Sequence, residues 1–215
     1  MEIYGAMLSP FMARVVLAAR FKGIKHKVLM PKDGIKSPAF LKMNPLGKMP
    51  VVKDGSTVLF ESAVIVEYLE AKYKRKRIVP SAAKAGAQAR LIGAIFDEYA
   101  QAAILALFPH IDPAKRDQAV VDAKLAELSK ALDIVEKMIS AKPYAAGAKF
   151  TIADCYAVPA LFFVVTFAPR FGVADPLGGR KKLAKYLAKA RKDKLLGGVL
   201  TEMEIGLKQW ESAKS

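Results

Sequence analysis

The sequence predicts a small mixed α/β domain followed by a larger all-helical one. Three observations carry this. Before residue 80, short β-type runs alternate with helical stretches. Beyond it, helical periodicity continues with no convincing strand. Between them lies a polar stretch, residues 74–82 (KRKRIVPSA), whose Pro80 marks a join. The expected boundaries are 1–76 for the first domain, 77–82 for the linker and 83–215 for the helical domain.

Each element has its own signal. Residues 2–4 form a brief strand start. Residues 11–21 form a helix opened by Ser9-Pro10, since serine at the N-cap and proline at the first helical position start helices strongly. A second strand spans 26–30, and a short helical segment 37–43. Residues 51–53 and 57–60 form a hairpin turned at Asp54-Gly55, which supplies positive φ. An amphipathic helix covers 62–73. The order βαβ, short link, ββα makes strands one and two parallel neighbours in a small mixed sheet. Helical periodicity then covers 83–107, 114–139, 152–167, 181–191 and 196–210, with Pro109, Pro113 and Pro143 punctuating the joins. Thr151-x-x-Asp154 ahead of an apolar run is a capping box.

Bulk properties narrow the class. A chain of 215 residues, 53% hydrophobic and 26% charged, can bury a substantial core. The single cysteine, Cys155, excludes an internal disulfide and any multi-cysteine metal site, and suits a reducing compartment. No basic-then-apolar block opens the chain, and the longest apolar run, 155–168, is shorter than the about 18 residues of a membrane span. A cytoplasmic protein is expected. The net charge of +15 invites a nucleic-acid or anionic-membrane reading. Its blocks, residues 72–77 (KYKRKR) and 180–194 (RKKLAKYLAKARKDK), lack aromatics at stacking spacing. In the second block Leu183, Tyr186, Leu187 and Ala190 recur at helical spacing, so the cations form one solvated face. Neither specific nucleic acid nor membrane is expected as a partner.

Three places carry chemistry. Ser9 caps a helix, yet its hydroxyl keeps a proton to donate, and it stands at the positive helix end where an anion is favoured. Glu61-Ser62 repeats the design: a helix start with a hydroxyl suits a carboxylate, and the neighbouring glutamate suits an ammonium. Pro50 stands at the mouth of a strand, where it removes a ladder donor. An edge position, an unusual peptide bond or a site needing bare backbone would each account for it. Other residues are less promising. Cys155 reads as a buried structural thiol, Tyr4 as packing, and His26 and His110 have no metal-ligand partners at usable spacing. No metal is expected.

Taken together, Gly5, Leu8-Ser9-Pro10, Arg14-Val15, Lys22-Gly23, Lys36-Ser37-Pro38, Phe40-Leu41, Asn44-Pro45, Gly47, Pro50, Asp54-Gly55 and Leu59-Phe60-Glu61-Ser62 resemble the cytosolic glutathione transferases. The serine-type classes, phi-like and related bacterial members, are the most similar. The resemblance is dense over 1–73 and continues through Phe150-Thr151-Ile152-Ala153-Asp154. It implies a thioredoxin-like N-terminal domain, a homodimer, and detoxifying conjugation of glutathione, as co-substrate, to small apolar electrophiles. Glutathione-dependent peroxidase activity is a further reaction open to such a site. Ser9 would hold the thiolate, and Glu61 with Ser62 the γ-glutamyl group. Pro50 would follow a cis bond, and Val51 would offer its backbone to the cysteinyl part, which pairs as an added strand does. Lys48 and Met49 would line the loop beside it, and Lys36 would meet the glycyl carboxylate. Met7, Phe11 and Met12, with Tyr99, Ala103 and Leu107, are candidates for the electrophile pocket, plain core being their other role. Asp97 would reach a neighbouring subunit's γ-glutamyl ammonium. Two departures stand out: Ile35 replaces a common histidine, and Lys48 a common glutamine. The competing reading is a non-catalytic ligand-binding or protein-interaction member of the fold.

Overall fold

A computed structural model describes residues 1–140 and 142–213. They fall into two compact units: residues 1–78 together with those from Asp193 onward, and residues 79–192.

The first unit is built on a four-stranded sheet of β1 (Glu2–Tyr4), β2 (Lys27–Leu29), β3 (Val51–Asp54) and β4 (Thr57–Phe60) in the order β2-β1-β3-β4. β1 and β2 are parallel, as their helical crossover requires, and β3 is antiparallel to both β1 and β4. The hairpin turn sits one residue later than expected. Asp54 pairs with Thr57, so the loop is Gly55-Ser56, with the positive φ on Gly55 alone. Glycine at the first central position suits a type II′ turn. Helices α1 (Pro10–Phe21), α2 (Pro38–Met43) and α3 (Ser62–Lys72) complete the βαβ and ββα halves. Ser9 and Ser37 cap the first two, each with proline at the next position. Ile3, Val16, Val52, Ile65 and Leu69 are buried in its core. Beneath them Lys22 Nζ donates to Glu70 Oε2 at 2.6 Å, and Glu70 also accepts from the Ile78 N–H at 3.1 Å.

The second unit is helical: α4 (Ala83–Ile95), α5 (Ala102–Ala106), α6 (Gln118–Met138), α7 (Ile152–Phe167) and α8 (Lys181–Lys192). The single helix expected over 83–107 is interrupted by a π turn at Phe96–Gln101. The helix expected from 114 begins at Gln118 under an Asp117 cap, after a 3-10 turn opened by Pro113. α7 is buried along nearly its whole length and packs against α4 and the π turn. Its capping box is present: Thr151 Oγ1 accepts from the Ala153 N–H, and Asp154 Oδ2 accepts from the Thr151 N–H at 2.8 Å. On α8, Leu183, Tyr186, Leu187 and Ala190 are buried while Lys181, Lys182 and Lys185 are exposed, so the cations are a solvated face.

Two expectations change. The last helix, α9 (Lys194–Ser212), belongs to the first unit, where it packs on α1, instead of closing the helical domain. Leu196, Val199, Leu200 and Met203 are buried there, at the spacing of one helix face. Length also no longer argues against a membrane span. The stretches Ala83–His110 and Ile152–Phe171 are both long and apolar enough to cross a bilayer. The second is 83% buried inside the protein, so its apolar surface is already covered by the core.

Candidate functional site

The loop from β1 to α1 brings Ser9 to the helix start. Its Oγ accepts from the Met12 N–H at a long 3.4 Å, and no acceptor among the described residues takes its own proton. Ser9 is half-buried. The N-terminus of α1 adds the positive end of the helix dipole, while Pro10 has no N–H and the Met12 and Ala13 N–H groups are taken by the Ser9 hydroxyl and carbonyl. Tyr4, on the neighbouring strand, is no competitor. Its hydroxyl donates to Glu2 Oε2 at 2.8 Å, and that bond to a carboxylate raises its pKa.

The Met49–Pro50 peptide bond is cis, as the resemblance implied. The sheet corrects the assignment beside it. β3 is a central strand, and Val51 is in register with Tyr4 on one side and Phe60 on the other. An edge position therefore does not explain Pro50, and Val51 has no open flank for a ligand. Met49 lies outside the ladder, and its thioether is close to the Ser9 loop, accepting from the Ala6 N–H at 3.2 Å. Among the described residues no backbone partner takes the Met49 N–H or carbonyl. The loop is held by Asn44, which is 1% exposed: its Nδ2 donates to the Lys48 carbonyl at 2.7 Å and its Oδ1 accepts from the Leu46 N–H at 3.0 Å. Sequence reading gave Asn44 no role, although an Asn-Pro pair after a helix is a turn signal.

Lys36 lies over the same loop. A Cβ on Gly47 would stand 2.8 Å from Lys36 Nζ and 3.1 Å from the Ile35 carbonyl, and Gly47 has φ +59°. Both Lys36 and Lys48 are exposed. At the start of α3, Glu61 is exposed and has φ +66°, a conformation costly for any residue but glycine. Ser62 beside it is 5% exposed and accepts at Oγ from Arg14 Nη1 at 2.9 Å. Arg14 is the second site residue that sequence reading left without a role. Its position one turn beyond the Ser9 cap was the available signal.

Of the electrophile candidates, Met7 and Phe11 are half-buried, and the Arg14 guanidinium lies 5.3 Å from the Phe11 ring centre. Met12 and Leu107 are fully buried and Ala103 nearly so, which is the core role. Tyr99 is 55% exposed. It lines a groove of about 580 Å³ with Ile95, Ala102, Ala103, Lys124 and Ile134, between the π turn and α6. Cys155 is buried, His26 Nδ1 pairs with the Ile24 carbonyl, and His110 Nδ1 accepts from the Asp117 N–H. Among the described residues no three His, Cys, Asp or Glu side chains form a metal-binding group.

The first unit thus combines a four-stranded mixed sheet, a helix-start hydroxyl at Ser9 and a cis-proline loop whose Met49 thioether reaches the segment before Ser9. Comparison with known proteins identifies the family. Residues 3–77 match the family model for the glutathione S-transferase N-terminal domain, and residues 97–192 that for the C-terminal domain. The chain is 33% identical to glutathione S-transferase 3 of Zea mays over 164 residues, 72% of this chain and 73% of the relative. It is 30% identical over 175 residues to glutathione S-transferase F13 of Arabidopsis thaliana, 76% of this chain and 80% of the relative. The crystal structure of glutathione transferase F7 from Populus trichocarpa superposes with a TM-score of 0.79 at 24% identity, covering 94% of this chain and 98% of that one. The chain belongs to the glutathione S-transferase family.

Proposed function

We propose that this glutathione transferase activates its thiol through Ser9. The Ser9 hydroxyl donates its proton to the bound thiolate, and the N-terminus of α1 favours the anion. An unperturbed thiol has a pKa of about 8.5, so lowering it by about two units costs the site about 3 kcal/mol of differential stabilisation. The released proton goes to solvent. The sulfur lone pair then forms a bond to an electrophilic carbon, and a leaving group or a conjugated π bond takes the displaced electron pair.

The rest of the tripeptide is read by the other residues. Glu61 takes the γ-glutamyl ammonium, and Ser62, held by Arg14, takes its carboxylate. Met49 pairs with the cysteinyl backbone, and Lys36 with Lys48 attracts the glycyl carboxylate. Ile35 removes one carboxylate contact, and the Lys48 cation offsets it. Met7 and Phe11 offer apolar contact to the electrophile beside Ser9. We further infer a cytoplasmic, detoxifying homodimer. Exposed Leu91, Tyr99 and Ile134 on α4, the π turn and α6 support an apolar dimer face, with Asp97 on the same stretch.

The observation that carries this reading is the half-buried Ser9 hydroxyl, capped weakly and with its proton untaken. Retention on immobilised glutathione followed by a chromogenic conjugation assay tests it. Binding with turnover is expected. Binding without turnover would favour the non-catalytic reading, and peroxidase activity is measured separately with an organic hydroperoxide.

A further inference from the structure

α9 touches α1 and its neighbouring loop at two named points. At the last turn of α1, Arg20 forms a two-pronged pair with Glu202, Nη1 to Oε1 at 2.6 Å and Nη2 to Oε2 at 3.0 Å. Just before the α1 N-cap, Gly206 lies directly on the backbone of Leu8. A Cβ at 206 would stand 2.9 Å from the Leu8 nitrogen, 3.1 Å from its Cβ and 3.3 Å from its Cα. Two of those three atoms are backbone, so no side-chain rotation relieves the contact. Glycine inside a helix is less stable than alanine. Here that cost has a physical return: α9 approaches the chain one residue before Ser9 as closely as backbones allow.

The anchoring is firm on both sides. α9 is capped by Asp193, whose carboxylate accepts from the Leu195 and Leu196 N–H groups at 2.8 and 2.9 Å. Met203, one turn before Gly206, is fully buried. On the other side Leu8 has little slack, because the Ser9 N–H is already bonded to the Ala6 carbonyl at 3.0 Å and the Ser9 carbonyl to the Ala13 N–H at 3.0 Å.

We propose that Gly206 is a positioning residue for Ser9: the close seat of α9 on Leu8 sets where the catalytic hydroxyl stands. This rests on the reading of Ser9 as the thiol-activating group. A side chain at 206 must push either α9 or the Leu8–Ser9 segment by several tenths of an ångström. A hydroxyl that stabilises an anion by one short hydrogen bond is sensitive to displacement on that scale.

The test compares two alanine substitutions in the same helix. Gly198 has nothing within 4 Å of its would-be Cβ, so Gly198→Ala gains helix propensity without touching the loop. The thiolate absorbance of the enzyme–glutathione complex is titrated against pH for the wild type, Ser9→Ala, Gly198→Ala and Gly206→Ala. Gly206→Ala is expected to raise the thiol pKa and lower kcat/KM at neutral pH by about three- to thirtyfold, with glutathione affinity changed less than threefold. Gly198→Ala should titrate as the wild type does and melt higher. A wild-type titration in folded Gly206→Ala overturns the inference while leaving the Ser9 reading intact. A titration that Ser9→Ala leaves unmoved defeats the Ser9 reading, and this inference with it. Should Gly206→Ala not fold, Glu202→Gln loosens the same helix at its other contact, and an unshifted thiol pKa there overturns the inference equally.

Discussion

Arg14 reaches across from α1 to the first residue of α3, its Nη1 donating to Ser62 Oγ at 2.9 Å in a buried contact. The two serines of the proposed site are thereby linked through one helix: Ser9 caps α1, and Arg14, on its second turn, holds Ser62. Because a cation donates this bond, one lone pair of the Ser62 oxygen is taken and its proton is left to be donated elsewhere. Hydrogen bonds to charged groups contribute about 1.5–3 kcal/mol. Arg14→Met should therefore raise KM for glutathione about tenfold or more, while kcat at saturating glutathione falls much less. Equal loss in kcat with KM unchanged would show that Arg14 serves the thiol and not the γ-glutamyl end.

Gly47 offers a separate handle on the glycyl end. With φ +59° and Lys36 Nζ 2.8 Å from a would-be Cβ, alanine there strains the backbone and displaces the ammonium. Gly34 also has positive φ, +80°, but nothing within 4 Å. Both alanine variants should lose about 1 kcal/mol of stability. Only Gly47→Ala should weaken glutathione binding, and Lys36→Ala should reproduce that weakening without the stability loss. Equal affinities for the two glycine variants would remove Lys36 from the site.

The buried ion pair of Lys22 and Glu70 makes a stability prediction. Their side chains are 0% and 8% exposed, so neither charge can recover water when its partner is lost. Glu70→Gln should cost about 3–5 kcal/mol. At about 2–4 °C per kcal/mol for a chain of this size, the melting temperature should fall by roughly 10 °C. Replacing both, Lys22→Met with Glu70→Met, should recover much of the loss, because two buried charges are removed together. A double variant no more stable than Glu70→Gln would mean that the other groups held by Glu70, the Ile78 N–H and Arg77, carry the effect instead.

Asp154 makes a pH prediction. It is fully buried, and desolvation lifts its pKa from 3.8 to about 6, against hydrogen bonds from Ala145, Thr151 and Tyr186 that lower it. An acid whose folded pKa is raised binds more protons in the native than in the unfolded state between those values. Its contribution is therefore fully present below about pH 3.8 and is lost as pH rises through about 6. The gap corresponds to about 3 kcal/mol. Asp154→Asn cannot ionise, so the stability advantage of the wild type over it should shrink between pH 4 and pH 7. A constant difference across that range would show that Asp154 titrates at its ordinary value.

The same carboxylate shows what the sequence could and could not reveal. Thr151-x-x-Asp154 is a local pattern, and its cap forms as read. The capping box alone suggests about 1 kcal/mol for removing Asp154. The Tyr186 hydroxyl, 32 positions away, and the Ala145 N–H also converge on Asp154, each at 2.8 Å. Asp154→Ala would leave three or more buried donors unsatisfied, so its cost should exceed the capping value severalfold. The pattern holds elsewhere. The starts of α1 and α7, the parallel β1–β2 pair and the existence of the β3–β4 hairpin follow from local signals, whereas the start of α6 and the register of the hairpin turn do not. Which flank of β3 is open, what covers α1 and where Arg14 reaches depend on contacts distant in sequence. The pairing of Val51 on both flanks is not legible because sheet order is not written in strand periodicity, and the seat of α9 is not because an amphipathic helix does not state which core its apolar face meets.

Ser9 carries the last prediction. Removing its hydroxyl should leave glutathione bound, because Glu61, Ser62 and the Met49 loop hold the rest of the tripeptide. The thiol pKa of the complex should rise, and turnover at neutral pH should fall by roughly ten- to a thousandfold, the range for losing one oxyanion-type donor. The N-cap is lost as well. Its bond to Met12 is long, 3.4 Å, so the stability cost should be at most about 1 kcal/mol. Activity is therefore compared on folded protein only. Raising the pH supplies thiolate without help from the protein, so the gap in turnover between Ser9→Ala and the wild type should narrow as pH approaches the free thiol value of about 8.5. A gap that stays constant with pH would mean that Ser9 positions the substrate without lowering its thiol pKa. An absent gap would mean that it only caps α1.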